Sequence, residues 1–319
     1  MERCVVKKNI WLDGIMGLVV GDALGVPVEF MKREALRNDP VTGMREYGTY
    51  NLPKGSWSDD SSMTLATLDS LKEGYDPEDL MKRFVLWMTE GAYTPDGECF
   101  DIGNGTCKAL IRYMRGEKTV LCGGISQYDN GNGSLMRILP ACLFFYEKQK
   151  KEQLSDEDVL RNIHEISALT HGHYRSMIAC GLYYFMVRSV LDEKGSLIDR
   201  LQRGLDIGFA FYDKVADPGI ELNHYINLRN LIVFREFDEG DIKSTGYVVD
   251  SLEAAVWCLI NTDTYKASSL KAVNLGSDTD TIAAIAGGLA GLYYGYEGIP
   301  EEWKSVIRRR EWIEELCRM

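Results

Sequence analysis

The apolar residues of this chain recur with the period of an α-helix along most of its length, and this constrains the fold more than any other feature. In residues 10–24, apolar or glycine residues return every three or four positions, which is typical of one helix face. No segment alternates apolar and polar residues convincingly, and residues 227–234 are the nearest candidate for a strand. The pattern therefore predicts an all-α fold. Helices are predicted at residues 10–24, 61–71, 77–88, 103–114, 134–146, 156–169, 172–191, 247–260, 265–274, 279–294 and 300–310.

A single domain spanning residues 1–319 is the simplest account of this pattern. No proline-rich or serine-rich linker divides the chain, and no repeat of fixed period is present. Lys and Arg total 36 and Asp and Glu total 48, so the formal net charge is −12. This acidic excess argues against sequence-independent binding to nucleic acid and against binding to an anionic membrane, because both need a basic surface.

The apolar segment at residues 10–24 is not predicted to be a membrane span or a signal peptide. Its apolar residues are interrupted by Asp13 and Asp22, whereas a span needs roughly 18 apolar residues in succession. The eight cysteines are scattered and lack the close spacing of a zinc or redox motif. These features predict a reduced, cytoplasmic protein.

Two acidic residues stand directly before the predicted helix 61–71, in the segment GSWSDDSS at 55–62. One carboxylate is enough to cap a helix, so capping explains either Asp59 or Asp60 but not both. Adjacent carboxylates repel each other unless a cation lies between them, and Mg²⁺ prefers oxygen ligands. Ser58, Asp59 and Asp60 are therefore candidate metal ligands, with a solvated acidic run as the alternative interpretation.

A second acidic loop, NLGSDTDT at 274–281, precedes another apolar helix. Asp278, Asp280 and Thr281 repeat the order of the first loop: hydroxyl, paired aspartates, hydroxyl, apolar helix. The glycines of the helix that follows favour close packing against the glycine-rich helix 10–24, which would bring the two loops together. Four carboxylates and several hydroxyls at one point would suit two divalent cations about 3.5–4 Å apart.

Three other segments carry weaker signals. Glu29 follows Pro27 in an extended stretch, and a lone glutamate is most often a surface charge. Residues 123–137, GGISQYDNGNGSLMR, have the small residues that let backbone N–H groups bind a phosphate, without the lysine of a P-loop. Residues 170–173, THGH, hold two of the four histidines. Asp101 stands before a predicted helix, where capping is the favoured interpretation.

Together these motifs resemble the ADP-ribosylglycohydrolase family, and they occur in the family's order. The paired acidic loops in this order are specific, while the glycine-rich loops alone are not. Residues 195–245 match nothing in the family pattern. The matching segments are 17–25 (GLVVGDALG) with Glu29, 57–61 (WSDDS), 100–104 (FDIGN), 131–137 (GNGSLMR), 170–171 (TH) and 276–281 (GSDTDT).

The resemblance implies a compact multi-helix orthogonal bundle with a dinuclear Mg²⁺ or Mn²⁺ site. By analogy, Ser58, Asp59 and Asp60 would bind one ion, Asp278 and Thr281 the other, and Asp280 would bridge the two. The family usually has threonine where this chain has Ser58, which keeps the hydroxyl but restricts its rotamer less.

The resemblance also implies hydrolysis of the bond between ADP-ribose and an acceptor, which is a protein side chain or a small molecule. Glu29, Asp59, Asp60 and Asp280 would then be catalytic, through a water held by the metals. Two other interpretations stay open: a module that only binds ADP-ribose, and a metal-dependent phosphoesterase that cleaves the diphosphate. The substrate-binding residues implied are Tyr128, Asp129, Asn130, Gly131, Asn132, Gly133, Ser134 and His171.

Overall fold

The computed structural model describes residues 9–214 and 219–318, which form sixteen α-helices joined by loops and short 3₁₀ turns. Within these ranges there is no β-strand, and isolated bridges are the only β features. The all-α prediction is confirmed. The helices are α1 (Ile10–Gly25), α2 (Arg33–Asn38), α3 (Asp59–Leu71), α4 (Pro77–Glu90), α5 (Asn104–Met114), α6 (Leu139–Glu152), α7 (Asp156–Ala168), α8 (Tyr174–Asp192), α9 (Leu197–Tyr212), α10 (Gly219–Leu222), α11 (Leu231–Arg235), α12 (Val248–Ile260), α13 (Tyr265–Asn274), α14 (Thr279–Tyr294), α15 (Glu301–Lys304) and α16 (Arg310–Leu316).

Helices α1 and α14 form the centre of the fold and pack through their glycines, as the sequence predicts. A Cβ atom at Gly17 would lie 2.4 Å from the carbonyl oxygen of Gly287, and one at Gly21 would lie 2.1 Å from that of Ala283. Both distances are too short for a real Cβ atom, so only glycine allows this contact between backbones. The packing joins a helix near the start of the chain to one near its end.

The C-terminal end of α1 touches the first turn of α14. A Cβ atom at Gly25 would lie 2.4 Å from both the Cα and the nitrogen of Asp280, and the hydroxyl of Thr279 donates a hydrogen bond to the Gly25 carbonyl at 2.9 Å. The core of the fold thus sets the position of the second acidic loop directly.

Several predicted element boundaries are wrong. The predicted helix 134–146 begins only at Leu139, with Pro140 in its first turn, and continues to Glu152. Residues 227–234 form no strand but part of a 3₁₀ turn and α11, and the predicted helix 300–310 divides into α15 and α16. Helix α9 was not predicted, although Ser196 and Asp199 form a capping box whose residue types are visible in the sequence.

The segment Ile10–Val28 has the length and composition of a membrane span, contrary to the prediction from its two interrupting aspartates. It is long and apolar enough to cross a membrane, yet 89% of its most apolar stretch is buried inside the fold. Asp13 and Asp22 are buried with it. In this structure the segment is the central core helix.

Candidate active site

Asp22 on α1 anchors the first acidic loop. Its Oδ1 accepts hydrogen bonds from the backbone nitrogen and the hydroxyl of Ser58, both at 3.0 Å, and its Oδ2 accepts those of Ser61 at 2.9 and 2.5 Å. Ser58 also caps α3, because its hydroxyl accepts a hydrogen bond from the backbone nitrogen of Asp60 at 3.3 Å. A serine caps this helix, so neither Asp59 nor Asp60 is needed for capping.

The second acidic loop meets the first at the start of α14. Asp278 occupies the N-cap position without making a capping bond, and its Oδ2 instead accepts a hydrogen bond from Asn132 at 2.7 Å. The hydroxyl of Thr281 donates to Oδ2 of Asp60 at 3.2 Å, which joins residues 221 positions apart. The two acidic loops therefore meet, as their shared pattern predicts.

Glu29 and Asp101 add two more carboxylates to this place. One carboxylate oxygen from each of Glu29, Asp101 and Asp280 lies within 4.8 Å of the others. The capping interpretation of Asp101 is wrong, because Gly103 occupies the N-cap of α5 and no side chain caps that helix. Asp101 has a φ of 55°. It belongs to a group of carboxylates, here called the acidic cluster, that consists of Glu29, Asp59, Asp60, Asp101, Asp278 and Asp280.

Backbone hydrogen bonds connect the Glu29 turn to the second acidic loop. The nitrogen of Phe30 donates to the Ser277 carbonyl at 2.7 Å, and the nitrogen of Ser277 donates to the Met31 carbonyl at 2.8 Å. Phe30 and Ser277 both have positive φ, at 63° and 66°. Glu29 is 4% exposed, so the interpretation of Glu29 as a surface charge is also wrong.

The acidic cluster is electrostatically uncompensated. Burial, followed by repulsion from neighbouring carboxylates, raises the pKa of Asp59, Asp60 and Asp280 well above the ordinary range. Burial and then Asp101 raise the pKa of Glu29 to about 9. Among the described residues, no lysine or arginine forms an ion pair with any of these carboxylates.

Within the described part of the chain, three buried oxygens of the cluster have no hydrogen-bond partner: Oε2 of Glu29, Oδ1 of Asp60 and Oδ2 of Asp280. Leaving a buried carboxylate oxygen unpaired is costly, and a hard divalent cation is the ligand that oxygens in this arrangement suit. The donor set of the site therefore fits the predicted metal ions.

A cavity of about 460 Å³ opens above the cluster. Five carboxylates line the cavity. Among the described residues that line it, Lys108 is the one lysine or arginine. The predicted ligands Ser58, Asp60 and Asp280 do not line the cavity, and each is at most 1% exposed. The lining residues are Glu29, Phe30, Asp59, Asp101, Gly103, Asn104, Gly105, Thr106, Lys108, Tyr128, Asp129, Gly131, Asn132, Gly133, Met136, His171, Gly246, Asp278 and Thr281.

The wall that includes the first turn of α5 suits an anion. Residues 103–106 line the cavity, and no side chain caps the helix, so the positive end of its dipole faces the cavity. The sequence signal for this wall is the segment FDIGN at 100–104, which was interpreted as a helix entrance and as one of the segments that match the family, without an assigned role in binding.

The imidazole of His171 packs between the glycines of this wall. A Cβ atom at Gly105 would lie 2.9 Å from its Nε2, one at Gly133 would lie 2.8 Å from its Cε1, and one at Gly131 would lie 3.4 Å from Nε2. These glycines therefore make room for a histidine, besides leaving their backbones open to a ligand. The predicted contact of His171 with the substrate region is consistent with this position.

Two of the predicted substrate-binding residues do not line the cavity. The side-chain oxygen of Asn130 accepts a hydrogen bond from Ser176 at 3.2 Å, and the hydroxyl of Ser134 accepts one from Ser167 at 2.9 Å. Both are buried and hold the loop to the helices beneath it. The prediction that they bind substrate is not supported by their positions, whereas Tyr128, Asp129, Gly131, Asn132 and Gly133 do line the cavity.

Comparison with known proteins assigns the chain to a family. The family model described as ADP-ribosylglycohydrolase matches residues 8–319. The chain belongs to the ADP-ribosylglycohydrolase family. It is therefore a hydrolase that removes ADP-ribose, and the resemblance seen in its motifs is confirmed.

Curated relatives and a solved structure cover nearly all of this ADP-ribosylglycohydrolase. ADP-ribosylarginine hydrolase Tri1 of Serratia proteamaculans (strain 568) is 32% identical over 98% of this chain and 80% of its own length. The ADP-ribosyl-[dinitrogen reductase] glycohydrolase of Rhodospirillum rubrum is 30% identical over 93% and 89%. A solved ADP-ribosylglycohydrolase-related protein complex has a TM-score of 0.74 at 29% identity, covering 97% of this chain and 95% of that one.

Proposed function

We propose that this ADP-ribosylglycohydrolase cleaves the N- or O-glycosidic bond between ADP-ribose and its acceptor at the acidic end of the cavity, with two divalent cations, Mg²⁺ or Mn²⁺, bound there. The observation that carries the proposal is the meeting of the two acidic loops, through Asp60 and Thr281, beside a cavity that the uncapped first turn of α5 also lines.

Ser58, Asp59, Asp60, Asp278, Asp280 and Thr281 would hold the metal ions, and bound metal would supply a water of lowered pKa. The support is the buried, unpaired oxygens of Asp60 and Asp280 together with the absence of a compensating lysine or arginine among the described residues. Asp22 would not contact metal. It orients Ser58 and Ser61, so it would preset the geometry of the first acidic loop.

The diphosphate of the substrate would bind along the first turn of α5 and the glycines of the 131–133 loop. The uncapped helix end and Lys108 supply positive potential there, within a cavity whose other charged side chains are acidic. This placement would direct the ribose next to the acceptor toward the acidic cluster.

The leaving group needs a proton, and the carboxyl of Glu29, which lines the cavity beside Asp101, would supply it. Among the described residues, Oε2 of Glu29 has no hydrogen-bond partner that would hold its proton. Asp101 would hold the Glu29 carboxyl in place and would help to balance the positive charge that develops on the ribose as the bond breaks.

Arginine is the acceptor that we propose to test first. The relative from Serratia proteamaculans is an ADP-ribosylarginine hydrolase and covers 98% of this chain. A guanidinium acceptor also suits the acidic end of the cavity, which Glu29, Asp59 and Asp101 line.

The deciding experiment supplies purified protein with ADP-ribosyl-arginine and Mg²⁺ or Mn²⁺ and identifies the products by mass. We expect free ADP-ribose and arginine. Release of AMP would instead indicate a phosphoesterase, and tight binding without any product would indicate a binding module.

Variants of the two acidic loops give this experiment its controls. Asp60→Ala and Asp280→Ala are expected to abolish turnover, because each removes a ligand with an unpaired buried oxygen. Asp206→Asn on α9 is the matched control, since Asp206 is exposed and outside the cavity. Full activity in both cluster variants would rule out the proposed site.

A further inference from the structure

Arg137 lies next to the substrate cavity but does not line it, and its burial has no explanation in the proposed reaction. Its side chain is 0% exposed and its guanidinium carbon lies 4.5 Å from the centre of the Phe84 ring. Among the described residues, Arg137 forms no ion pair, and its Nε and Nη1 have no hydrogen-bond partner. A buried, unpaired cation is costly, so a role for its charge or its hydrogen bonds is expected.

The remaining nitrogen of Arg137 begins a chain of hydrogen bonds that ends at the cavity. Nη2 donates to the Ile166 carbonyl at 3.1 Å and to the hydroxyl of Thr170 at 2.9 Å. The same hydroxyl lies 2.9 Å from Nδ1 of His171. His171 lines the cavity, and none of the described residues forms a hydrogen bond with its Nε2.

The direction of these bonds follows from what each group can do. A guanidinium only donates, so the Thr170 oxygen must accept from Arg137. The hydroxyl proton then needs an acceptor, and among the described residues Nδ1 of His171 is the one within reach. If Nδ1 carried a proton instead, the Thr170 oxygen would accept both hydrogen bonds, and the buried hydroxyl proton would be left unpaired.

We propose that Arg137 is a positioning residue that acts through Thr170 to hold His171 as the Nε2–H tautomer, so that His171 presents a neutral hydrogen-bond donor to the substrate. The groups that this donor suits are the oxygens of a phosphate or of a ribose hydroxyl. The assignment of these oxygens rests on the proposed function, whereas the tautomer itself does not.

The charges around His171 agree with a neutral ring. Burial, and then the positive charge of Arg137, lower the pKa of His171 to about 3, while Asp129 acts weakly in the opposite direction. The glycines of α5 and of the 131–133 loop that pack against the ring bring no charge of their own. His171 would therefore be neutral and donate through Nε2 near neutral pH.

The test is a nitrogen-15 NMR spectrum of histidine-labelled protein without metal, recorded from about pH 5 to pH 8. The chain has four histidines, and His171→Gln identifies the signals of His171. We expect an unprotonated Nδ1 and a protonated Nε2 that do not change over this range. A protonated Nδ1 in the wild-type protein would overturn the proposal.

Thr170→Val and Thr170→Ser form a matched pair that tests the role of the hydroxyl. Valine keeps the shape but removes the hydroxyl, so the two tautomers should become mixed, and serine should restore the wild-type spectrum. Arg137→Met should also mix the tautomers. If Thr170→Val keeps Nε2 fully protonated, then Arg137 and Thr170 do not set the tautomer.

Binding of ADP-ribose provides a second readout. Thr170→Val is expected to weaken it about fivefold to tenfold, the usual effect of one hydrogen bond, and Thr170→Ser to restore it. Failure of wild-type protein to bind ADP-ribose would contradict the proposed function, while the tautomer would still be decided by the NMR spectrum.

Discussion

At the scale of single residues, the site depends on carboxylates that have different tasks although they lie close together. Asp22 accepts hydrogen bonds from both Ser58 and Ser61, and burial raises its pKa to about 6. Asp60 and Asp280 keep unpaired oxygens. The difference lies in the neighbours: serine donors reach both oxygens of Asp22, whereas the hydroxyls near Asp60 reach only its Oδ2, and other carboxylates repel both Asp60 and Asp280.

Glu29→Gln and Asp101→Asn test the proton donor and its neighbour. Each keeps the shape of the side chain and removes the carboxyl, so each is expected to lower kcat about 10²-fold or more while changing KM little. Steady-state kinetics with ADP-ribosyl-arginine measure both constants. An unchanged kcat in Glu29→Gln would show that the proton comes from elsewhere.

Glu253, remote from the acidic cluster, makes stability depend on pH. Burial raises its pKa from 4.5 to about 7, while a hydrogen bond from Asn227 acts in the opposite direction. Between these values the folded state keeps a proton that the unfolded state has lost, so the free energy of unfolding falls as pH rises through this window. Glu253→Gln removes the titrating carboxyl, so this fall in the free energy of unfolding should be absent in the variant.

Urea unfolding at about pH 4.5 and pH 8 measures this effect. The advantage of Glu253→Gln over wild type should be larger at the higher pH, whereas exposed Glu236→Gln should show no such trend. An advantage that is equal at both pH values would mean that the pKa of Glu253 is the same in the folded and the unfolded states.

At the scale of elements, the contact between α1 and α14 determines where the second acidic loop lies. Gly25 is the last residue of α1, and its Cα lies against the backbone of Asp280. The Glu29 turn follows α1 and is joined by hydrogen bonds to Ser277. One helix therefore positions three parts of the site: Asp22 within it, Glu29 after it and Asp280 against its end.

Gly25→Ala is expected to disturb both stability and the site. The new methyl group would lie 2.4 Å from the Asp280 backbone, which cannot move without shifting α14. Overpacking of this kind costs about 1–3 kcal/mol of unfolding free energy, and metal binding should weaken with it. Urea unfolding and a metal titration measure the two effects.

Gly240→Ala is the matched control for Gly25→Ala, because a Cβ atom there would meet nothing within 4 Å. It should leave stability and metal binding close to those of the wild type. Equal behaviour of the two variants would show that α1 does not set the position of Asp280.

At the scale of the whole molecule, uncompensated charge in the cluster should make stability depend on divalent cations. At a concentration one hundred times the dissociation constant, a cation that binds only the folded state raises the free energy of unfolding by about 2.7 kcal/mol. We expect Mg²⁺ or Mn²⁺ to raise the melting temperature of the wild-type protein measurably.

The same thermal measurement on variants localises the ion. The shift should disappear in Asp60→Ala and remain in Asp206→Asn. Without added cation, Asp60→Ala should unfold no earlier than wild type, because it removes a buried carboxylate that repels its neighbours. A cation-induced shift of equal size in all three proteins would place the ion elsewhere.

The sequence alone determined the fold class, the family and most of the residues of the acidic cluster. These depend on local patterns: apolar spacing sets helices, and a second carboxylate beside a helix start exceeds what capping requires. The close packing of α1 on α14 was also predicted, because glycines at helical spacing allow two helix backbones to approach each other closely.

Only the tertiary structure decided the roles of Asp22, Asp101, Asn130 and Ser134. A lone aspartate in an apolar helix, or before another helix, has the same local pattern whether it caps, organises a loop or faces a ligand. The outcome depends on partners far away in the chain, such as Ser58 and Ser61 for Asp22. Local spacing carries no information about such partners, because packing of the helices brings them together.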